Sequence, residues 1–304
     1  MHIKSVPLTI GKLLIGTFAF FVGAILGGIA AGLLGIPQPV MPANIDPATA
    51  AQSMPLVGIL MTMSLAFLSK RSGAGFFPRW ISLGLFSWTA YGFNNYLEAR
   101  FFSPDVATSY LLVFNFVACF SCSAAVAWLF KPTPPAESVW TKTRAFFAVR
   151  PFRSWAWRFF GALAAFPIAY FVFGWLVSPF VVSFYEQQYA GLVLPGLEVM
   201  LLLSIIRSLF FLLCTLPVLI LWKGSRKIFF LALGVTLFLF VGGLNMVQAI
   251  WLPAILRTAH SLEILADSFA HAAALVFLLV PGSLVALRSP ERTHDLEAAR
   301  SHVI

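Results

Sequence analysis

Charge is what this sequence has least of. Only 10% of its 304 residues are Asp, Glu, Lys or Arg, while 60% are hydrophobic and 32 are Phe. A soluble domain carries about 25% charged residues, so with a mean hydropathy of +0.90 an ordinary water-soluble fold is excluded. Cysteine is scarce as well. Cys119, Cys122 and Cys214 are odd in number and lie in apolar segments, which excludes a disulfide framework and leaves the redox compartment unread. Period-two alternation is missing, which excludes a membrane β-barrel. So is a basic domain: the net charge of +9 is scattered over short loops, and no nucleic acid partner is expected. The sequence has no HExxH and no Asp-rich diphosphate motif. Only two of its five histidines fall inside apolar stretches, so haem ligation by facing histidines lacks its second helix. A cleavable signal peptide also fits poorly. The apolar run from Leu13 to Ile36 is too long for an h-region, and Ala48-Thr49-Ala50 lies too far downstream. This run is read as a retained helix.

What the sequence does contain is eight apolar stretches, near 13–36, 53–69, 80–102, 108–130, 158–181, 196–222, 228–252 and 258–286. Each is close to the roughly 20 residues a helix needs to cross a bilayer. The loops between them alternate in charge. Lys4 and Lys12, then Lys70, Arg71 and Arg79, then six basic residues in 131–158, then Lys223, Arg226 and Lys227, and finally Arg288, Arg292 and Arg300 mark one side. The intervening loops 37–52 and 182–195 have no Lys or Arg. Basic loops stay cytoplasmic. The expected fold class is therefore an all-α integral membrane protein with eight transmembrane helices and both termini cytoplasmic, in a bacterial inner membrane.

The 131–158 connection is the longest and most basic. It predicts a first four-helix unit over 1–135, a basic linker over 136–157, a second four-helix unit over 158–287 and a tail over 288–304. Gly84, Gly92, Asn95, Glu98 and Ala99 recur 150 residues later as Gly234, Gly242, Asn245, Gln248 and Ala249. An even number of spans per unit preserves orientation, so the repeat would be parallel, about an axis along the membrane normal.

One stretch concentrates the polar residues. Arg257, His260, Glu263, Asp267 and His271 are spaced 3, 3, 4 and 4 apart at the start of the eighth stretch. At about 100° per residue, the last four form a single stripe on one helix face. Such residues inside lipid must face protein or water. The expected topology also sets depth. Asn94, Asn95 and Glu98 on the third stretch, Arg207 on the sixth, Asn245 and Gln248 on the seventh and the first two-thirds of the stripe, through Asp267, fall in the outer half of the bilayer. Arg207 and Asp267 share a depth and are expected to pair. A packing seam of interhelical hydrogen bonds is the competing reading.

The other motifs carry less. His260 and Glu263 are candidate metal ligands, with zinc or iron the fitting ions, but His260 and His271 stand about 16 Å apart along a helix and cannot share one ion. Cys119-Phe-Ser-Cys122 resembles a redox dithiol in spacing but sits mid-helix rather than at a helix start. Gly23, Gly27, Gly28 and Gly32 predict a close helix contact. Tyr185 to Tyr189 read as an outer loop able to form a lid. The functional expectation is binding of a small polar ligand, proton or cation in the outer half of the bilayer, as a transporter binds. The alternatives are an intramembrane enzyme acting on a lipid or lipid-linked substrate, with Glu263 or His260 as base, or an assembly subunit. Besides the bilayer, partners would be a small-molecule or lipid ligand and copies or subunits of a membrane complex.

Overall fold

The computed structural model describes residues 5–39, 51–104, 107–133 and 136–282. The Ala48-Thr49-Ala50 site, the last residues of the eighth stretch and the 288–304 tail lie outside them. The described residues are helical, and the only extended pairing among them is one isolated bridge. Helix α1 is Ser5–Leu33 and α2 is Met54–Lys70. Helix α3 runs without a break over 76–102, as Phe76–Ser87, a π-helical Trp88–Phe93 and Asn94–Phe102. Then come α4 Ser109–Leu129, α5 Val139–Ala148, α6 Phe152–Glu186 and α7 Leu197–Leu221. The last two are α8 Arg226–Gln248, with a π turn at Leu239–Gly243, and α9 Ala254–Leu279, with a π turn at Leu275–Leu279.

Six of these helices are long and apolar enough to cross a membrane: α1, α4, α6, α7, α8 and α9. This is a multi-pass, all-helical membrane architecture, with six candidate spans where the hydropathy pattern predicts eight. The difference has a physical source. Helix α2 is apolar but only 17 residues long, and the last third of α3 carries Asn94, Asn95, Glu98 and Arg100. The basic stretch before the fifth span is also more structured than a linker, because it contains α5, and α6 already begins at Phe152.

Local chemistry explains several ends. Helix α1 stops in a Schellman turn: Gly35 has φ 68°, its N–H donates to Gly32 O, and Ile36 N–H donates to Ala31 O. Pro55 opens α2 where its missing N–H is not needed. Ser225 caps α8 by accepting from Ile228 N–H at 3.3 Å.

Packing follows the small residues. Helix α1 lies on α4 through Gly23, Gly27 and Gly28, where an added Cβ would stand 2.7–2.9 Å from Ser121, Phe114 or Tyr110. Gly32 has nothing nearby. It is not part of that contact, because it falls one turn beyond the point where α4 begins. Helix α6 likewise lies on α9, α3 on α4, α8 on α9, α1 on α2 and α6 on α7; α3 also meets α7, and α2 meets α8. Phe20, Met61, Phe86, Phe166, Phe211 and Phe240 fill the core. Trp222 is buried and stacks on Phe229 at 4.3 Å.

The loop after α2 and the loop after α7 meet. Ser72 and Trp222 form an antiparallel bridge. Gly73 N–H donates to Leu221 O at 2.8 Å, and Lys223 N–H donates to Arg71 O at 2.7 Å. Glu137, ahead of α5, closes the same junction through ion pairs with Lys223 and with Lys142, the latter at 3.6 Å.

Candidate functional site

The stripe on α9 faces protein. Leu256, Ala259, Glu263, Asp267 and His271 are all buried, at the repeat of a helix face, and they look toward α6, α7 and the C-terminal end of α3. Gly174 on α6 makes the room: a Cβ there would stand 3.1 Å from Glu263 Oε1.

Arg207 on α7 is the centre of the cluster. It is 3% exposed. Its Nε donates to Asn94 Oδ1 at 2.7 Å, and its Nη2 lies 3.4 Å from Glu98 Oε2. The guanidinium stands over two rings of α6, with Cζ 5.1 Å from the Phe166 centroid and 5.4 Å from that of Tyr170. The expected ion pair with Asp267 is not formed, because Glu98 takes that place. Equal depth does not fix the rotation of a helix, and α3 presents Glu98 to Arg207 on the side where Asn94 already holds the guanidinium. Asp267 stays within electrostatic range of Arg207, Glu263 and Glu98. Its Oδ1 is buried without a hydrogen-bond partner, as is Arg207 Nη1.

A second chain of contacts leads toward the start of α9. His260 Nδ1 lies 2.8 Å from Glu263 Oε2, and His260 Nε2 lies 3.1 Å from the Tyr185 hydroxyl. Tyr185 is in the last turn of α6, not in a loop. Toward the end of α9, the row finishes at His271. This residue is 1% exposed, both ring nitrogens lack partners, and its imidazole sits 5.4 Å from the Phe166 ring and 5.9 Å from that of Phe211.

The remaining candidates form a separate seam between α3 and α8. Asn94 Nδ2 donates to Val241 O and Asn95 Nδ2 to Phe240 O, both at 3.2 Å, and Asn95 Nδ2 also donates to Tyr91 O. Both acceptors on α8 belong to its π turn, where the wider winding changes the carbonyl register. Tyr91 O–H donates to Gln248 Oε1 at 2.9 Å, and Gln248 Nε2 approaches Met54 Sδ at 3.0 Å. Asn245 shares this interface with its Nδ2 left without a partner. Asn94 alone belongs to both groups, since its Oδ1 takes Arg207 while its amide nitrogen takes α8.

Sequence reasoning passes over Tyr170, which is in electrostatic reach of Glu98, Arg207, Glu263 and Asp267, and over Phe166, which supports both Arg207 and His271. Their spacing of four on α6 was the available signal, but it is hidden in an aromatic-rich helix. Among the described residues, no three His, Cys, Asp or Glu side chains converge as metal ligands would. Cys119 and Cys122 are free and fully buried, with Cys122 Sγ 3.5 Å from Thr62 Oγ1.

Chemically, the site holds three carboxylates, Glu98, Glu263 and Asp267, against one permanent cation, Arg207. Tyr185 borders it beside His260, and the Phe166 and Phe211 rings border it beside His271. No protein family, curated protein or solved structure matches the chain.

Proposed function

We propose that this protein binds a proton or small cation at the Glu98–Arg207–Glu263–Asp267 cluster and handles it as a transporter does. The observation that carries the reading is the imbalance of charge at depth. Burying a carboxylate costs several kcal/mol unless it is paired, and here Arg207 contacts Glu98 alone, Glu263 is met by His260, and Asp267 Oδ1 and Arg207 Nη1 stay unsatisfied. A bound cation or proton balances that charge. The inward orientation of Glu263, Asp267 and His271 speaks against an assembly subunit, which would turn its polar seam toward lipid.

The architecture in this reading has eight spans, with α2 and α3 counted beside the six longer helices. It comprises two four-helix units over 1–135 and 158–287, joined by the basic 136–157 segment, in a parallel pseudo-repeat. Both termini and the 288–304 tail are cytoplasmic, in the inner membrane of a bacterium. Several features support the repeat. The π turns at 88–93 and 239–243 end 150 residues apart. Ser72 bridges the residue 150 positions on, Trp222. The two backbone bonds around that bridge exchange roles under the same shift. Gly84 faces Phe120 as Gly234 faces Phe269.

The test uses the full chain in vesicles loaded with a pH-sensitive dye. An imposed pH gradient should collapse faster with the wild type than in protein-free vesicles, and D267N and E263Q should return it to the protein-free rate. A wild-type rate equal to the protein-free one, with and without sodium or potassium, overturns transport. Loss of the infrared carboxylic-acid signal in D267N would report proton binding independently of flux.

One observation favours a second reading. His260 is held by Glu263 on one nitrogen and faces Tyr185 with the other, at 2.8 and 3.1 Å. That is how an imidazole is oriented to act as a general base. An enzyme of this kind would leave the gradient intact and would alter native membrane lipids, detected by mass spectrometry, in the wild type but not in H260Q.

A further inference from the structure

Three arginines gather far from the acidic cluster, at the opposite end of α9. Arg150 Nη1 donates to Leu278 O at 3.0 Å and to Leu279 O at 3.2 Å, and Arg158 Nη1 also donates to Leu278 O, at 2.9 Å. Arg226 Nη2 donates to Phe277 O at 2.7 Å. The three come from different elements: the turn before α6, the first turns of α6 and the start of α8. They converge because the π turn at Leu275–Leu279 leaves its carbonyls open, and cations suit a helix C-terminus.

Capping accounts for only part of this arrangement. One guanidinium offers five donors, and a helix end carries about half a negative charge, so three full cations over-compensate it. Among the described residues, none of the three forms an ion pair with a carboxylate. Arg150 feels the excess: burial, and then the charges of Arg158 and Arg226, push it below its ordinary value. Arg226 Nε is buried with no partner. The surroundings are apolar and exposed. Arg158 Cζ lies 4.6 Å from the Trp157 ring and Arg226 Cζ 5.5 Å from the Phe277 ring, and both rings are exposed, as are Phe152 and Phe160 beside them.

We infer that Arg150, Arg158 and Arg226 form a binding site for the phosphate headgroup of an anionic phospholipid, in the leaflet on the side of the basic loops. The arginines supply planar, multi-donor contacts to phosphate oxygens, and basic pockets between spans at this face take such headgroups. The exposed Trp157, Phe160 and Phe277 beneath them give the acyl chains an apolar wall. That wall is why a lipid, and not free phosphate, is the occupant.

The experiment is native mass spectrometry of the full chain in detergent with added phosphatidylglycerol or phosphatidylcholine, alongside melting in each lipid. The wild type should retain phosphatidylglycerol preferentially. Each Arg→Gln change should weaken that retention about fivefold, as expected for roughly 1 kcal/mol per basic residue near an anionic surface. R158K should keep most of it. Because these arginines also cap α9, R158Q should melt lower in both lipids. A purely structural role lowers both melts equally, whereas the lipid site requires the gap between them to shrink. An unchanged preference in the triple R150Q/R158Q/R226Q variant overturns the proposal. So does millimolar inorganic phosphate that reproduces the phosphatidylglycerol stabilisation in phosphatidylcholine, since the ligand would then be the free ion.

Discussion

Replacing Arg207 with Leu is the sharpest perturbation of the acidic cluster. The change removes a charged hydrogen bond to Asn94 at 2.7 Å, for which about 1.5–3 kcal/mol is typical. It also removes the contact with Glu98 at 3.4 Å, whose carboxylate side is 33% exposed and therefore screened to about 0.5–1 kcal/mol. Two ring contacts, with Phe166 and Tyr170, add roughly 0.5–1 kcal/mol each. The leucine gains some packing in return. The net expectation is about 3–4 kcal/mol, within the range for removing one partner of a buried pair. Hydrogen bonds between membrane helices average only about 0.6 kcal/mol, because the unfolded chain in lipid finds other partners. That figure sets the opposing expectation. The assay is reversible unfolding in mixed micelles by increasing SDS, followed by the fluorescence of the nine tryptophans. R207K keeps the charge but not the planar fork, so it should fall between wild type and R207L. Adding E98Q to R207L should restore stability, since it removes an acid that has lost its counter-charge. A loss below about 1 kcal/mol for R207L, or strict additivity of the two changes within about 0.5 kcal/mol, would refute the electrostatic account.

Two further expectations concern packing. Gly27→Ala puts a Cβ 2.8 Å from Phe114 O and 2.9 Å from Phe114 Cα. Backbone cannot yield there, so α1 must lift from α4 at about 1–3 kcal/mol. Gly32→Ala meets nothing and should be neutral or stabilising in the same SDS titration; equal behaviour of the two variants would remove the contact argument. Cys119, Cys122 and Cys214 are all buried, so maleimide should label none of them in the folded protein and all three after denaturation. Rapid native labelling would reopen a redox role for the Cys119–Cys122 pair.

Relative height along neighbouring helices was legible from the sequence, and lateral position was not. Counting residues from the basic loops places Arg207, Asp267 and Glu98 at related levels. Which acid Arg207 touches depends on the rotation of three helices, and that is set by small residues and rings elsewhere: Gly174 opposite Glu263, and Phe166 and Tyr170 beneath the guanidinium. The stripe from His260 to His271 was visible because helical spacing alone gathers it. Tyr170 was missed because one more aromatic in α6 carries no pattern of its own. The π turns were equally silent in composition, yet one supplies the carbonyls that Asn94 and Asn95 reach. The hydropathy pattern finds α2 at its 17-residue length and finds α3, but it does not reveal that α6 continues for 35.

The Ser72–Trp222 bridge has a consequence for how the two ends of the molecule differ. Its bonds run from Gly73 to Leu221 and from Lys223 to Arg71, so each loop gives and receives the same thing. This is an isologous contact, the kind two identical subunits make across a dyad. It rivets the loop after α2 to the loop after α7. The charged cluster lies away from this junction, where Glu98 near the end of α3 reaches across to Arg207, so the junction is held through backbone bonds and the cluster through side chains.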